Sequence, residues 1–302
     1  MHIPDGFLST PVWVALDVAV APAAGYIVRR AQREFEERKL PLLGVMGAFV
    51  FAAQMINFPV GGATSGHLVG SALLSFTLGP AAAGVVMIAI LAIQALVFQD
   101  GGILALGANV FNLAIAGVIA GYLPFHFWGA GRARKAAIFM GGVFSVLVAA
   151  LMAVSELLLS GIAMPGAVLG VSFGLFTVSA LLEGAITLAV FQAVETLNPN
   201  FIKQPKAGRR IGLGLIALAA VALAGVGVLF ASTNPDALQR LADTLGIASK
   251  SKPFLNAPLA EYQAGFLQSA WLRKAGAGLT GIALIYGACA LLGRMVGRQR
   301  SA

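Results

Sequence analysis

The chain has 302 residues, of which 59% are hydrophobic and 11% are charged, with a formal net charge of +8 and a mean hydropathy of +0.88. A soluble domain carries about 25% charged residues, so this composition excludes an ordinary soluble protein and predicts an integral membrane protein. The single cysteine, Cys289, excludes a disulfide framework and a cysteine-rich metal site within the chain. Any metal bound by this chain is therefore expected to meet nitrogen and oxygen donors.

The N-terminus, MHIPDGF, places a histidine directly after the first methionine. The α-amine of Met1, the backbone amide nitrogen of His2 and the Nδ1 atom of His2 can close adjoining chelate rings around one metal ion. Four nitrogens in a plane are typical of Ni(II) and Cu(II), so this chelate lacks one donor. The first apolar run lacks the basic flank and cleavage site of a secretory signal, and we expect the N-terminus to be retained.

Nine apolar segments approach the roughly 20 residues that a transmembrane helix needs. They cover residues 11–28, 41–57, 66–79, 80–98, 104–124, 136–159, 167–193, 211–231 and 275–293. The third segment is short and runs into Gly79 and Pro80, so the third and fourth segments are expected to form a tight hairpin or one broken element. The sequence therefore predicts an all-α membrane protein with about nine transmembrane helices.

Lysine and arginine are distributed unevenly over the connections between these segments. With the N-terminus outside, 15 of the 20 fall in cytoplasmic connections and the C-terminal tail: Arg29, Arg30, Arg33, Arg38, Lys39, Arg132, Arg134, Lys135, Lys203, Lys206, Arg209, Arg210, Arg294, Arg298 and Arg300. The other five, Arg240, Lys250, Lys252, Arg273 and Lys274, lie in or beside one outer loop at 232–274. This asymmetry predicts an external N-terminus and a cytoplasmic C-terminus. It also accounts for most of the net charge, so no nucleic-acid partner is expected.

The loop between the second and third segments, NFPVGGATSGH, falls on the same outer side as Met1 in this topology. Glycine, proline and small hydroxyl residues are typical of a folded loop whose backbone approaches another group closely. A lone histidine is more often structural than a ligand. Here, however, a second imidazole lies on the same side of the membrane as a preformed chelate, which favours His67 as the fourth donor. His126 lies in PFHFW on the cytoplasmic side, where we expect an interfacial aromatic belt.

Other polar residues could support this site or simply hold helices together. Asp17, Glu156 and Glu183 lie in predicted spans, and Asn109 and Asn112 share one helix face. Each could orient a ligating imidazole by accepting its second ring proton. Each could instead form hydrogen bonds between helices, which is the interpretation we favour.

Four residues closer to the predicted ligands are better candidates for supporting the metal. Gln54, Thr64 and Ser65 neighbour the His67 loop. Asp5 could contribute to the site, or it could pin the N-terminal segment by accepting hydrogen bonds from backbone amides.

The opening MHIPDGFLS and the loop NFPVGGATSGHLVG resemble the CbiM/NikM family over roughly residues 1–200. The members of this family are the substrate-binding membrane components of cobalt and nickel energy-coupling-factor importers. The resemblance implies a multi-pass protein of the bacterial plasma membrane whose seven-helix domain carries Ni(II) or Co(II) as substrate, with no organic cofactor. In the family, the terminal amine, the amide and imidazole of the second residue and a loop histidine hold the metal, and these match Met1, His2 and His67.

Residues 201–302 add two predicted spans that enclose the outer loop 232–274, which contains NPDALQR. This part resembles the small NikN component, although Ala237 and Gln239 replace the glycine and glutamate of its PDGLE motif. That difference leaves the carboxylate of the motif without an assigned role. The predicted domains are therefore 1–200 and 201–302, joined by the polar, proline-bearing stretch 198–206, as in a fused NikMN protein. Fusion favours nickel over cobalt modestly.

The chain contains no GxxxxGK[ST], HExxH or GxSxG motif, so neither an ATPase nor a familiar hydrolase is expected. The resemblance implies separate partners: a coupling membrane subunit of the NikQ/CbiQ type and cytoplasmic ATPases of the NikO/CbiO type. Ala48 and Ala52 form a small-residue face that could contact the coupling subunit.

The alternative function is a stand-alone secondary metal transporter or channel. Such a protein would carry its ligands near the bilayer midplane, whereas the best candidates here cluster at one outer face. A membrane metalloenzyme is the third possibility. It would need an open coordination position and a general base.

Overall fold

The computed structural model describes residues 1–34, 40–197 and 210–298. Its helices are α1 Thr10–Glu34, α2 Leu40–Gln54, α3 Ser71–Leu78, α4 Pro80–Ile93, α5 Leu106–Asn109, α6 Gly117–Trp128, α7 Arg134–Leu159, α8 Gly166–Leu197, α9 Arg210–Gly225, α10 Ala237–Thr244 and α11 Ala270–Arg298. A π-helical turn extends α4 through Gln94–Phe98, and another, Val110–Ala116, joins α5 to α6. Strands β1, Phe58–Gly61, and β2, Thr64–Gly66, pair as an antiparallel hairpin. The predicted domain boundary at 198–206 lies outside the described residues.

Seven helical segments of the described chain are long and apolar enough to cross a membrane. They are Thr10–Glu34, Pro80–Phe98, Leu106–Trp128, Arg134–Leu159, Gly166–Thr196, Gly212–Leu229 and Ala270–Arg294. The apolar α2 has 15 residues. The membrane-protein and helical predictions are confirmed, but the count of nine full spans is not.

The third predicted span, 66–79, differs most from expectation. Its first residue ends β2, and the helical part is α3, which has only eight residues. A helix of eight residues is about 12 Å long, which is too short for a hydrocarbon layer of about 30 Å. Gly70 and Gly79, with φ of 78° and 84°, bound α3 at its two ends. This segment is therefore a short buried element that precedes α4.

The C-terminal helices cover α2. Both α9 and α11 pack along it, and Tyr286 of α11 lies directly over Gly44. Ala48 and Ala52 are consequently 4% and 0% exposed. Our interpretation of these alanines as a contact face for a separate subunit is therefore wrong, because α2 is already enclosed by helices of its own chain.

Four connecting segments meet at one end of the bundle: the N-terminal stretch 1–9, the β1–β2 hairpin, the stretch 99–105 and the connection 230–269, which contains α10. Backbone hydrogen bonds join them in pairs. Gly102 N–H donates to Ile3 O at 2.8 Å, and Ser65 N–H donates to Pro235 O at 2.8 Å. Lys252 N–H donates to the backbone oxygen of Asp5 at 3.1 Å. This end of the bundle, which we call the outer cap, contains the predicted metal ligands.

Candidate metal centre

The N-terminal segment is buried rather than loose. His2 and Ile3 are 8% and 0% exposed, and Asn109 holds Ile3 by accepting from its N–H at 2.8 Å and donating to its carbonyl at 3.0 Å. The side-chain amide of Asn109 thus pairs with both backbone groups of Ile3, as the backbone of a neighbouring β-strand would. These hydrogen bonds fix the direction in which Met1 and His2 leave the bundle.

Asp5 anchors the same segment two residues after Ile3. Its carboxylate accepts from Leu104 N–H at 2.8 Å and from Phe254 N–H at 3.1 Å. Gly102 lies so close that a Cβ there would fall 2.2 Å from Asp5 Oδ1, so only glycine fits. Asp5 thus ties the N-terminus to backbone amides of the 99–105 stretch and of the C-terminal connection.

His67 follows the β1–β2 hairpin, whose turn needs positive φ at Gly61, Gly62 and Ala63. Its Nδ1 lies 3.0 Å from the carbonyl oxygen of Leu68, and its Nε2 lies 2.7 Å from the amine nitrogen of Met1, 66 residues away. A proton on Nδ1, donated to that carbonyl, leaves the Nε2 lone pair directed at the amine. Burial, with the charge of the terminal amine acting in the same direction, lowers the pKa of His67 to about 4. At neutral pH this imidazole is therefore a neutral donor.

The spacing of these two nitrogens suits neighbouring corners of a square. Two donors about 2.0 Å from a shared metal ion and at right angles to each other lie about 2.8 Å apart. Among the described residues, no group of three or more His, Cys, Asp and Glu side chains could hold a metal ion. A metal bound at this point would draw on main-chain nitrogen as well as on imidazole.

Asp236 comes to the same amine from the C-terminal part of the chain. Its Oδ2 lies 2.7 Å from the Met1 nitrogen and 3.9 Å from His67 Nε2. Its Oδ1 accepts from Gln239 N–H at 2.8 Å, and the Gln239 side chain accepts from Asp236 N–H at 2.9 Å, which completes a capping box at the start of α10. Burial alone would raise the pKa of Asp236, but the positive terminal amine, His67 and the hydrogen bonds to the carboxylate together outweigh burial, and the pKa is lowered.

The sequence of the NPDALQR segment resembles the PDGLE motif, but it predicted no role for the carboxylate of Asp236. Gln239 performs the helix-capping function that a glutamate could also perform. A capping box could be recognised from sequence, whereas the meeting of Asp236 with Met1 could not.

His2 packs its ring against His67, with ring centres 5.7 Å apart and planes inclined by 20°. Its Nδ1 lies 2.9 Å from Asp100 Oδ1, and its Nε2 is buried without a hydrogen-bond partner in the described part of the chain. Tyr262 donates its hydroxyl to Asp100 Oδ2 at 2.5 Å. Burial opposes ionisation of Asp100, yet the contact with His2 and the tyrosine hydrogen bond lower its pKa. Since a ligating imidazole nitrogen must present its lone pair to the metal, chelation through Nδ1 requires His2 to exchange its contact with Asp100 for a bond to the metal.

Neither Asp100 nor Tyr262 was singled out from the sequence. Asp100 follows the π-helical end of α4, where Gln99 adopts a positive φ of 56°. Tyr262 also has a positive φ, 56°, and stacks on Phe98 at 4.9 Å. A lone aspartate in QDGG gave no signal that it faces an imidazole.

The three residues predicted to neighbour the loop lie around it in different ways. Ser65 Oγ donates to Asn234 O at 2.7 Å and so ties the hairpin to the C-terminal connection. Gln54 Nε2 donates to Val69 O at 2.8 Å, two residues beyond His67. Thr64 Oγ1 donates to Gly62 O at 3.3 Å within the hairpin turn.

The intramembrane carboxylates bond to backbone amides or to an amide side chain. Glu183 accepts from Val69 N–H at 2.8 Å and from Gly70 N–H at 2.9 Å, just beyond His67. Asp17 accepts from Gly107 N–H at 2.7 Å, and Glu156 accepts from the Asn112 amide at 2.8 Å. These contacts support the helix-packing interpretation. His126 is exposed and contacts Tyr122 and Phe127, at the end of α6 away from the outer cap.

Comparisons with known proteins agree with this architecture. A family model described as CbiM, cobalt uptake substrate-specific transmembrane region, matches residues 2–201. The fused nickel transport protein NikMN of Rhodobacter capsulatus is 28% identical over 94% of this chain and 95% of its own length. The cobalt transport protein CbiM of Acetoanaerobium sticklandii is 36% identical over 63% of this chain and 83% of its own. The crystal structure of a truncated transition metal transporter superposes with a TM-score of 0.58 at 31% identity, covering 65% of this chain and 99% of that one.

Proposed function

The chain belongs to the CbiM family, and we propose that it is the substrate-binding membrane component of an ATP-driven nickel or cobalt importer of the energy-coupling-factor type. The observation that carries this proposal is the 2.7 Å approach of the Met1 amine to His67 Nε2 across 66 residues of sequence. Two nitrogen donors brought this close in a buried outer cap suit metal capture.

The proposed ligands are the amine of Met1, the amide nitrogen and Nδ1 of His2, and Nε2 of His67. In a square of four nitrogens, the first three occupy consecutive corners because they belong to one chelate. The remaining corner adjoins both the amine and Nδ1. The position of His67 Nε2 beside the amine supports this assignment.

The proposed cargo is Ni(II), with Co(II) as the close alternative. A deprotonated amide donor favours Ni(II) and Cu(II), and Cu(II) has the higher intrinsic affinity for such a set. Relatives of this chain are named as nickel and as cobalt transport proteins. Selection against copper would then depend on metal availability and on the fit of the outer cap.

The two-part organisation is also a proposal. Residues 1–200 would form the metal-binding domain, and residues 201–302 would form a NikN-like unit whose helices pack on α2. ATP hydrolysis would take place on separate cytoplasmic subunits, linked through a coupling membrane subunit. The cytoplasmic C-terminus predicted from the lysine and arginine pattern is compatible with this arrangement.

Uptake of radioactive nickel in cells tests this proposal. We expect uptake when the chain is produced together with the coupling and ATPase subunits, and background uptake when the ATPase carries a substitution that abolishes ATP hydrolysis. Full uptake by the chain alone would instead support the stand-alone secondary transporter. Metal content of the purified protein, after growth with nickel and cobalt together, identifies the preferred cargo.

A further inference from the structure

We propose that Asp236 orients the terminal amine as a metal donor, so that the C-terminal unit helps to build the metal centre of the N-terminal domain. This inference rests on the proposed function, because it requires the Met1 amine to be a ligand. It adds a positioning residue that the four-nitrogen site does not include.

The carboxylate of Asp236 is held in place from both sides. Its Oδ1 is fixed by the N–H of Gln239 at 2.8 Å, which leaves Oδ2 to face the amine at 2.7 Å. The backbone immediately before it is bound to the hairpin, because Ser65 donates its N–H to Pro235 O and its hydroxyl to Asn234 O. The side chain of Asp236 is only 12% exposed. The direction of Oδ2 is therefore set by the α10 capping box and by the strand that leads to His67.

The hydrogen bond between Met1 and Asp236 can survive metal binding. A terminal ammonium has three N–H bonds, and it must lose one proton before its lone pair can meet a metal. Two N–H bonds remain on the coordinated amine, and one of them can still donate to Oδ2. The lone pair is then directed away from Asp236, toward the space that the amine shares with His67 Nε2.

The net positive charge beside Asp236 is also the same in the metal-free and the metal-bound protein. The ammonium carries one positive charge. A divalent metal bound to one deprotonated amide likewise leaves one positive charge at the centre. A carboxylate that accepts a hydrogen bond from a metal ligand typically contributes about 10- to 100-fold to metal affinity. We expect Asp236 to contribute within this range.

The competing explanation is that Asp236 only caps α10. Asparagine is as good an N-cap as aspartate, so Asp236→Asn preserves the cap while removing the charge and the acceptor that face the amine. Asp243→Asn is the matched control, because it removes an exposed carboxylate from the same helix.

The experiment is a Ni(II) titration of the full-length protein, followed by binding affinity and by the absorption band of planar, amide-coordinated Ni(II). Asp236→Asn should lower the affinity by about 10- to 100-fold while giving the same band at saturation, and Asp243→Asn should match the unsubstituted chain. Unchanged affinity in Asp236→Asn would overturn the inference. If the unsubstituted chain binds Ni(II) without this band, the proposed ligand set fails, which is a separate result.

A second background separates orientation of the amine from general support of the loop. Inserting leucine after Met1 displaces the amine by one residue. In that background, Asp236→Asn should no longer lower the Ni(II) affinity. Energies of residues that interact are non-additive in this way, whereas independent effects add. An equal loss of affinity in both backgrounds would assign Asp236 to loop structure and overturn its role toward the amine.

Discussion

The metal site in the outer cap and the interior of the helical bundle use buried polar groups in different ways. In the interior, Glu183 accepts two backbone N–H groups and Glu156 accepts an amide from Asn112, so these side chains hold helices and turns together. In the outer cap, the nitrogens of Met1 and His67 face each other 2.7 Å apart. Burial of a carboxylate in a membrane protein therefore does not by itself identify a substrate site. Groups whose hydrogen bonds can be exchanged for metal bonds are better candidates.

The lysine and arginine pattern predicts that the outer cap faces the external solution. We predict that a cysteine introduced at Lys252 reacts with a membrane-impermeant maleimide in intact cells, whereas one at Arg132 reacts only after the membrane is opened. The native Cys289 is 0% exposed and should give little background. The reverse labelling pattern would place the cap on the cytoplasmic side and contradict the topology.

Removal of one ligand should have the largest effect on binding. His67→Ala leaves three donors from the chelate, and we expect Ni(II) affinity to fall by more than about 100-fold, beyond the range for groups that only support a ligand. Folding should be retained, because the hairpin and Glu183 still hold the backbone around position 67. Equilibrium metal titration checks the affinity, and His126→Ala serves as the control with unchanged binding. Wild-type affinity in His67→Ala would remove His67 from the site.

The interior should influence the metal only through the position of the loop. Glu183→Gln leaves one acceptor oxygen for two N–H groups, at a cost of about 1–3 kcal/mol in stability for the unpaired one. We expect Ni(II) affinity to fall by about 10-fold, the lower end for groups that support a ligand. Thermal unfolding and metal titration measure the two effects. A loss of binding as large as that of His67→Ala, in a protein of unchanged stability, would indicate that Glu183 belongs to the metal site itself.

The smallest effect on metal affinity is expected at the seam, by which we mean the contacts of Ser65 in the β1–β2 hairpin with Asn234 and Pro235 in the connection 230–269. Ser65→Ala removes the hydroxyl bond to Asn234 O but keeps the backbone bond to Pro235 O. A neutral hydrogen bond contributes about 0.5–1.5 kcal/mol to stability, and we expect a change in metal affinity of no more than a few-fold. Loss of metal binding in Ser65→Ala would show that the seam controls the site more strongly than its contacts indicate.

Composition and hydropathy were sufficient to predict a helical membrane protein, because apolar segments of spanning length are a direct requirement of the bilayer. They located the break at Gly79 and Pro80, which separates α3 from α4, but they did not predict that the run 66–79 folds into a strand end, a glycine turn and the short α3. Apolar character alone does not separate a spanning helix from a buried short one. The small-residue face of α2 was misassigned for a related reason, since sequence does not show which helix covers another.

The N-terminal chelate could be proposed from local chemistry, because its donors belong to two adjacent residues. His67 could be predicted as the fourth donor because the N-terminus and the loop that ends at His67 were expected on the same side of the membrane. Asp100 and Asp236 were beyond reach, since each meets the N-terminus through a contact between segments distant in sequence. Their positions depend on the π-helical end of α4 and on the capping box of α10.

The central claim is that the Met1 amine is a metal ligand paired with His67, and the length of the N-terminus tests it most directly. Inserting alanine after Met1 should lead to removal of the methionine and regenerate a two-residue chelate. Inserting leucine should retain the methionine and place the histidine third, where one amine, two amides and one imidazole already fill the square.

We predict that both variants bind Ni(II) but that only the alanine variant imports it, because His67 has no corner to occupy in the leucine variant. N-terminal sequencing verifies the processing of each variant. Equal import by the two correctly processed variants would contradict the account, since it would show that the terminal amine is not a ligand.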